Sequence, residues 1–124
     1  MKIYLCGSMR DCELRDQLLD ALKDHEILDP NSHKLTDEKS YTEWDLNAIR
    51  ECNCVVAFMD SSNPSGYGMS LEIGYAHGLG KTVIYLDALG NDWRQKYFGM
   101  VRSVSRTVQS IAEFQHALAH RDAD

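Results

Sequence analysis

Two acidic side chains, Glu72 and Asp45, stand out as candidates for chemistry at a sugar carbon. Glycosyl transfer and hydrolysis commonly use a pair of carboxylates about 5 Å apart, one attacking the anomeric carbon and the other moving a proton. Glu72 follows the glycine-studded stretch Ser65-Gly66-Tyr67-Gly68, and the spacing predicts a helix over 68–80 with Glu72 in its first turn. There the helix dipole would favour the ionised form that a nucleophile needs. Asp45 lies one residue after Trp44 and four after Tyr41, at the border of a second helix's apolar side. Tyr4, in the first apolar run, is a core residue by default, and its phenol is also able to orient one of the acids. Between them in chemistry is the loop Cys6-Gly7-Ser8-Met9-Arg10. Its glycine lets backbone approach a ligand, Ser8 offers a hydroxyl and a helix cap, and Arg10 presents a planar fork of donors, a combination suited to one phosphate, while the loop taken alone reads more simply as a capped helix with an exposed arginine.

The elements that must position these residues follow from hydrophobic patterning. The runs "KIYLCG", "HEILD", "CVVAFMD" and "KTVIYLD" alternate with helix-like segments at 10–23, 40–51 and 68–80. The unbroken apolarity of "VVAFM" and "TVIYL" suits strands covered on both faces, as parallel sheets require. A βαβα order with a fifth strand in "SRTVQS" and a closing helix at 111–119 predicts one α/β domain, 1–124, of flavodoxin-like or Rossmann-like type with about five parallel strands. Leu14, Leu18 and Leu22 form the first helix's stripe, Ser40-Tyr41-Thr42-Glu43 reads as a capping box for the second, and Gly78-Leu79-Gly80 stops the third. Residues 29–40, the longest polar stretch, read as a loop at one end of the sheet. Ligands of open parallel sheets bind beyond the strands' carboxyl ends, which directs the search to the segments after Leu5, Asp29 and Met59.

Composition narrows the classes. With 44% hydrophobic and 26% charged residues and only 2 prolines, the 124-residue chain is expected to fold compactly. A net charge of -6 disfavours nucleic acid as a partner. Neither a secretory leader nor a membrane span is apparent, so a cytoplasmic location is expected. Cys6, Cys12, Cys52 and Cys54 match no zinc spacing, and the five histidines form no H-E-x-x-H, so no metal site and no other cofactor is expected. The first loop has neither G-x-G-x-x-G nor the Walker pattern, which argues against dinucleotide and triphosphate sites.

Three stretches taken together, "IYLCGSMR", "EWDLNAIRECNCVVAF" and "PSGYGMSLEIGYAHGLGKTVIYL", resemble the nucleoside 2-deoxyribosyltransferase superfamily over about the first 87 residues. Within it the chain is most similar to the 2'-deoxynucleoside 5'-phosphate N-hydrolases, whose first loop reads Cys-Gly-Ser-Ile-Arg and whose second helix carries Asp-Leu-Asn. Transferases acting on free nucleosides usually carry Asp-x-Gly-Thr-x-x-Glu, where this chain has Gly66 and Met69 in place of the aspartate and threonine. The resemblance implies Glu72 as nucleophile, Asp45 as the proton-handling carboxylate and Tyr4 as the residue that positions Glu72. It also implies that Gly7, Ser8, Met9 and Arg10 surround a 5'-phosphate with help from Ser65, and Gly68 joins them as a candidate for substrate contact. Family members are typically dimers in which a neighbour's serine completes the phosphate site, a role that falls to Ser105, or failing that Ser103. The expected activity is hydrolysis of the N-glycosidic bond of a deoxynucleoside monophosphate, a small-molecule nucleotide. A base-exchanging deoxyribosyltransferase, a non-catalytic nucleotide-binding module and a structural protein with helix-end carboxylates are the rivals. Trp44 and His33 are candidates to face the base, and equally packing or surface residues.

Overall fold

The computed structural model describes residues 1–8 and 12–121. Five parallel strands, β1 (Lys2–Cys6), β2 (Glu26–Leu28), β3 (Cys54–Met59), β4 (Thr82–Asp87) and β5 (Arg106–Val108), form one sheet in the order β2-β1-β3-β4-β5. That order is flavodoxin-like, one of the two arrangements expected. All six residues of β3 are buried, which is why this segment carries no polar alternation. Alternate strand residues feed two separate cores. Tyr4, Cys6, Val55, Ala57, Met59 and Tyr85 face α2 (Glu38–Glu51), α3 (Tyr67–Gly78) and α4 (Gly99–Ser103). Ile3, Leu5, Val56, Phe58 and Leu86 face α1 (Glu13–Ala21) and α5 (Ile111–Ala119).

The chain reverses direction across β1. It steps outward through α1 to β2, then returns through α2 to β3 on β1's other side. The carboxyl ends of β1 and β3 therefore border the crevice where open α/β sheets take ligands.

Helix ends depart from the expected caps in three places. Helix α1 begins at Glu13 behind Cys12, whose thiol accepts the Arg15 amide at 3.4 Å, so Cys12 and not Ser8 caps it. The second helix starts earlier than the Ser40 capping box implied: Asp37 is its cap, accepting the Ser40 amide at 2.9 Å. An aspartate is as good an acceptor as a serine here, so the earlier residue takes the role. The third helix also starts early, at Tyr67, because Gly66 adopts a left-handed conformation (φ 77°) and serves as its cap. A side chain at that position would meet the Phe98 ring at 2.8 Å. Glu72 consequently sits in the helix's second turn, beyond the strongest part of the dipole's field. The other predicted terminator holds, with Gly80 left-handed (φ 75°) just past the helix end.

Candidate active site

The α2–α3 face of the sheet gathers the three residues expected to do chemistry. Glu72 lies three residues after Met69 and four before Ala76, both buried, so helical geometry turns it toward β1. Asp45 stands three and four residues before the buried Ala48 and Ile49 and shares their inward side. Tyr4, fully buried in β1, donates its phenolic hydroxyl to Glu72 Oε2. Three separate elements thus converge on one place.

Electrostatics at this place differ from the sequence-based expectation. Burial raises Glu72 from 4.5 to about 7; the Tyr4 hydrogen bond opposes that rise and the nearby Asp45 charge adds to it. Desolvation outweighs whatever the distant helix end contributes, so the dipole does not keep Glu72 ionised as expected. Burial also raises Asp45, against a lowering hydrogen bond from His33. The Tyr4 phenol is pushed far above its ordinary value, mainly by burial and then by Glu72, and remains a donor throughout the physiological range. Two carboxyls whose proton affinity is raised by burial, beside a permanent donor, suit a nucleophile and an acid–base partner.

The loop between β3 and α3 is tied down by its own residues and by the segment after β4. Asn63 is buried and its Oδ1 accepts the Ser65 and Gly66 amides at 3.2 and 3.1 Å. Arg94 reaches over from the 3-10 turn Trp93–Phe98 to donate to the Asn63 and Ser61 carbonyls, while Asp92 holds its guanidinium at 2.9 Å. Across the crevice, Gly7 has φ 148°, and a Cβ there would lie 2.6 Å from both the Phe58 ring and the Phe58 carbonyl oxygen. Glycine at position 7 is therefore demanded first by the protein's own packing.

These segments enclose a cavity of about 380 Å³, within the range of small-molecule sites. Glu72, Asp45, Gly7, Ser65 and Gly68 all line it, together with Cys6, Asn63, Gly66 and Met69. Its remaining wall is Pro30, His33, Leu35 and Tyr41, from the segment after β2 and the first turn of α2. Ser8 is buried next to Gly7 and is not among the lining residues. Met9 and Arg10 lie outside the described residues. Ser105 is elsewhere in this chain, just before β5, donating to the Val101 carbonyl at 2.7 Å; Ser103 likewise bonds back to Gly99.

The sequence offers His33 as a candidate to face the base and equally as a packing or surface residue, and gives no sign of its contact with Asp45. Its Nε2 lies 3.3 Å from Asp45 Oδ1, its ring meets Trp44 edge-on at 4.8 Å between centroids, and its side chain is 7% exposed. Trp44 itself packs against the core and does not line the cavity. The Asn63 and Arg94 latches were also missed; an Asn-Pro pair followed by Gly66 was the one available signal of an ordered turn.

The profile of the nucleoside 2-deoxyribosyltransferase family matches residues 3–109, which spans every element of the site. The chain belongs to this family. Its members cleave or transfer at the N-glycosidic bond of nucleosides or nucleotides. Solved structures with this architecture include a 2-deoxyribosyltransferase of the psychrotolerant bacterium Bacillus psychrosaccharolyticus, at TM-score 0.74 and 19% identity over 93% of this chain and 90% of that one. A CMP N-glycosidase of Clostridium botulinum is similar at TM-score 0.63 and 21% identity, over 96% and 98% of the two chains. A third, from Leishmania mexicana, is a 2-deoxyribosyltransferase at TM-score 0.59 and 23% identity, over 77% and 70%. At these identities the likeness is one of fold. No curated protein matches significantly. Among the described residues no helix is long and apolar enough to cross a membrane.

Proposed function

We propose that this member of the family hydrolyses the N-glycosidic bond of a 2'-deoxynucleoside 5'-monophosphate, releasing the base and deoxyribose 5-phosphate. The observation that carries this activity is the convergence of Glu72, held by Tyr4, with Asp45 in one cavity beside the β1 and β3 carboxyl ends. Tyr4 engages Oε2, so Oε1 is the oxygen that attacks C1'. The bond to the base breaks, its electron pair goes to the base nitrogen, and Asp45 supplies the proton. Water then attacks C1' of the glycosyl ester, Asp45 takes a proton from it, and Glu72 leaves as the carboxylate. No metal or cofactor enters these steps.

Gly7, Ser65 and Gly68 would receive the phosphate end of the substrate, with Ser8, Met9 and Arg10 completing the first loop. The apolar wall of Pro30, Leu35 and Tyr41 would receive the base. A homodimer is part of the proposal, because α3, the 3-10 turn and α4 expose Tyr67, Leu71, Trp93, Tyr97 and Met100 to solvent, Met100 at 85%. Such a group of large apolar side chains is costly to leave uncovered. Tyr67, Trp93 and Tyr97 line a hollow of about 600 Å³ that shares Ser65 with the cavity, and α4 leads directly to Ser105. Pairing through this face would bring the partner's Ser105 toward the phosphate.

Incubation with a panel of deoxynucleoside monophosphates, the corresponding nucleosides and CMP, followed by chromatography of free base, tests the assignment. Release from deoxynucleotides that is abolished by Glu72→Gln is expected. No release from any nucleotide, or equal release by Glu72→Gln, would refute it. A second base added to the mixture reports on the rival transferase: a new nucleotide would show that the ester is discharged to the base and not to water.

A further inference from the structure

His33 reaches Asp45 through a chain of contacts that begins on the opposite face of the sheet. Arg15, buried in α1, holds Asp29 at 2.5 Å. Asp29 in turn caps the 3-10 turn Pro30–Ser32 through the Asn31 amide at 2.9 Å, and its carbonyl accepts from Ser32 Oγ at 2.7 Å. That turn ends at His33. The imidazole is fixed at both nitrogens: Nδ1 accepts the Leu35 amide at 2.9 Å, and Nε2 faces Asp45 Oδ1. A backbone amide can only donate, so Nδ1 must be bare and the proton of the neutral ring must sit on Nε2. The Trp44 ring packed edge-on against the imidazole removes its remaining freedom to turn.

We propose that His33 is a positioning residue for Asp45, donating from Nε2 to Oδ1 so that Oδ2 is the oxygen presented to the reacting proton. This rests on the activity proposed above, in which Asp45 carries a proton out to the base and another back from water. A carboxylate without such an anchor rotates about its terminal bond and offers either oxygen at random. With it, one oxygen is always occupied and the other always aimed. The donated hydrogen bond also favours the ionised form of Asp45, the form that must accept a proton from water in the second step. The other titratable groups around the pair are Glu72 from α3, Tyr4 and Cys6 from β1, and Tyr41 from α2. Burial opposes ionisation of Asp45, and the His33 bond counters it.

Two variants and two readouts test this. His33→Ala removes the donor; His33→Gln puts an amide N–H where Nε2 stood. Titration of the Asp45 carboxyl by 13C NMR is expected to move upward by about one pH unit in His33→Ala and to return toward wild type in His33→Gln. In turnover, His33→Ala is expected to lower kcat roughly tenfold with the acid limb of the pH profile displaced upward, and His33→Gln to recover both. An unmoved Asp45 titration in folded His33→Ala, or a Gln variant no better than Ala in both readouts, overturns the proposal. The NMR titration needs no substrate, so it separates failure of this inference from failure of the proposed activity, which shows instead as no base release by wild type.

Discussion

Replacing Glu72 by glutamine is expected to abolish turnover and, at neutral and alkaline pH, to stabilise the fold. Burial lifts the carboxyl from 4.5 to about 7, so the folded chain holds this proton more tightly than the unfolded chain does. The sign follows from proton linkage. As pH rises from about 4.5 toward 7 the unfolded state ionises first, and stability falls; above about 7 the full penalty stands. The gap between the two values corresponds to about 3 kcal/mol. Glutamine carries no charge to desolvate, feels no repulsion from Asp45 and still offers an oxygen to the Tyr4 hydroxyl. Urea unfolding of both proteins across the range from about pH 4 to about pH 9 measures the difference. The curves are expected to coincide at the acid end and to separate by up to about 3 kcal/mol in favour of Glu72→Gln at the alkaline end. A variant of equal or lower stability at about pH 8, with a difference independent of pH, would refute the reasoning, because it would mean that Glu72 is not desolvated.

Tyr4→Phe removes a hydrogen bond that lowers Glu72, so the acid limb of kcat/KM is expected to move up by about one to two pH units, with a loss of roughly tenfold at pH 7 that alkaline buffer restores; a pH–rate profile measures it. Arg94→Ala frees the Asn63 and Ser61 carbonyls and is expected to raise KM by roughly threefold to tenfold while kcat changes little, as initial-rate kinetics will report. Gly7→Ala forces a methyl within 2.6 Å of the Phe58 ring and carbonyl at a positive φ, with an expected loss on the order of 3 kcal/mol read from a urea midpoint.

Much of this was legible along the chain. Continuous apolar runs such as "CVVAFM" announce a strand buried on both faces, and their alternation with helical stripes yields the parallel sheet, though not the order of its strands. Glu72, Asp45 and Tyr4 come from three distant segments, and the sheet brings them together. What misled was local. The third helix begins before Gly68 because Phe98, from a later turn, leaves room only for a left-handed glycine at 66, and no neighbouring residue signals that. Moving Glu72 into the second turn exchanges dipole stabilisation for burial, which reverses the expected direction of its proton affinity. The His33–Asp45 contact escaped notice because the partners are twelve residues apart and the pose of His33 depends on the Arg15–Asp29 pair, a contact made from the other side of the sheet. The α2 cap shows the smaller case, in which Asp37 and Ser40 are both competent and only the backbone decides.

The central claim is that Glu72 forms a covalent bond with the sugar while Asp45 moves protons beside it. Acid-quenched intact-mass analysis of Asp45→Asn mixed with a deoxyribosyl 5-phosphate whose leaving group departs without a proton tests this most directly, because only the water step then depends on Asp45 and the ester accumulates. The expected result is a protein heavier by one deoxyribose 5-phosphate unit, with the added mass on the peptide that contains Glu72. Base release at the wild-type rate by Glu72→Gln, or an adduct on any other residue, would contradict it.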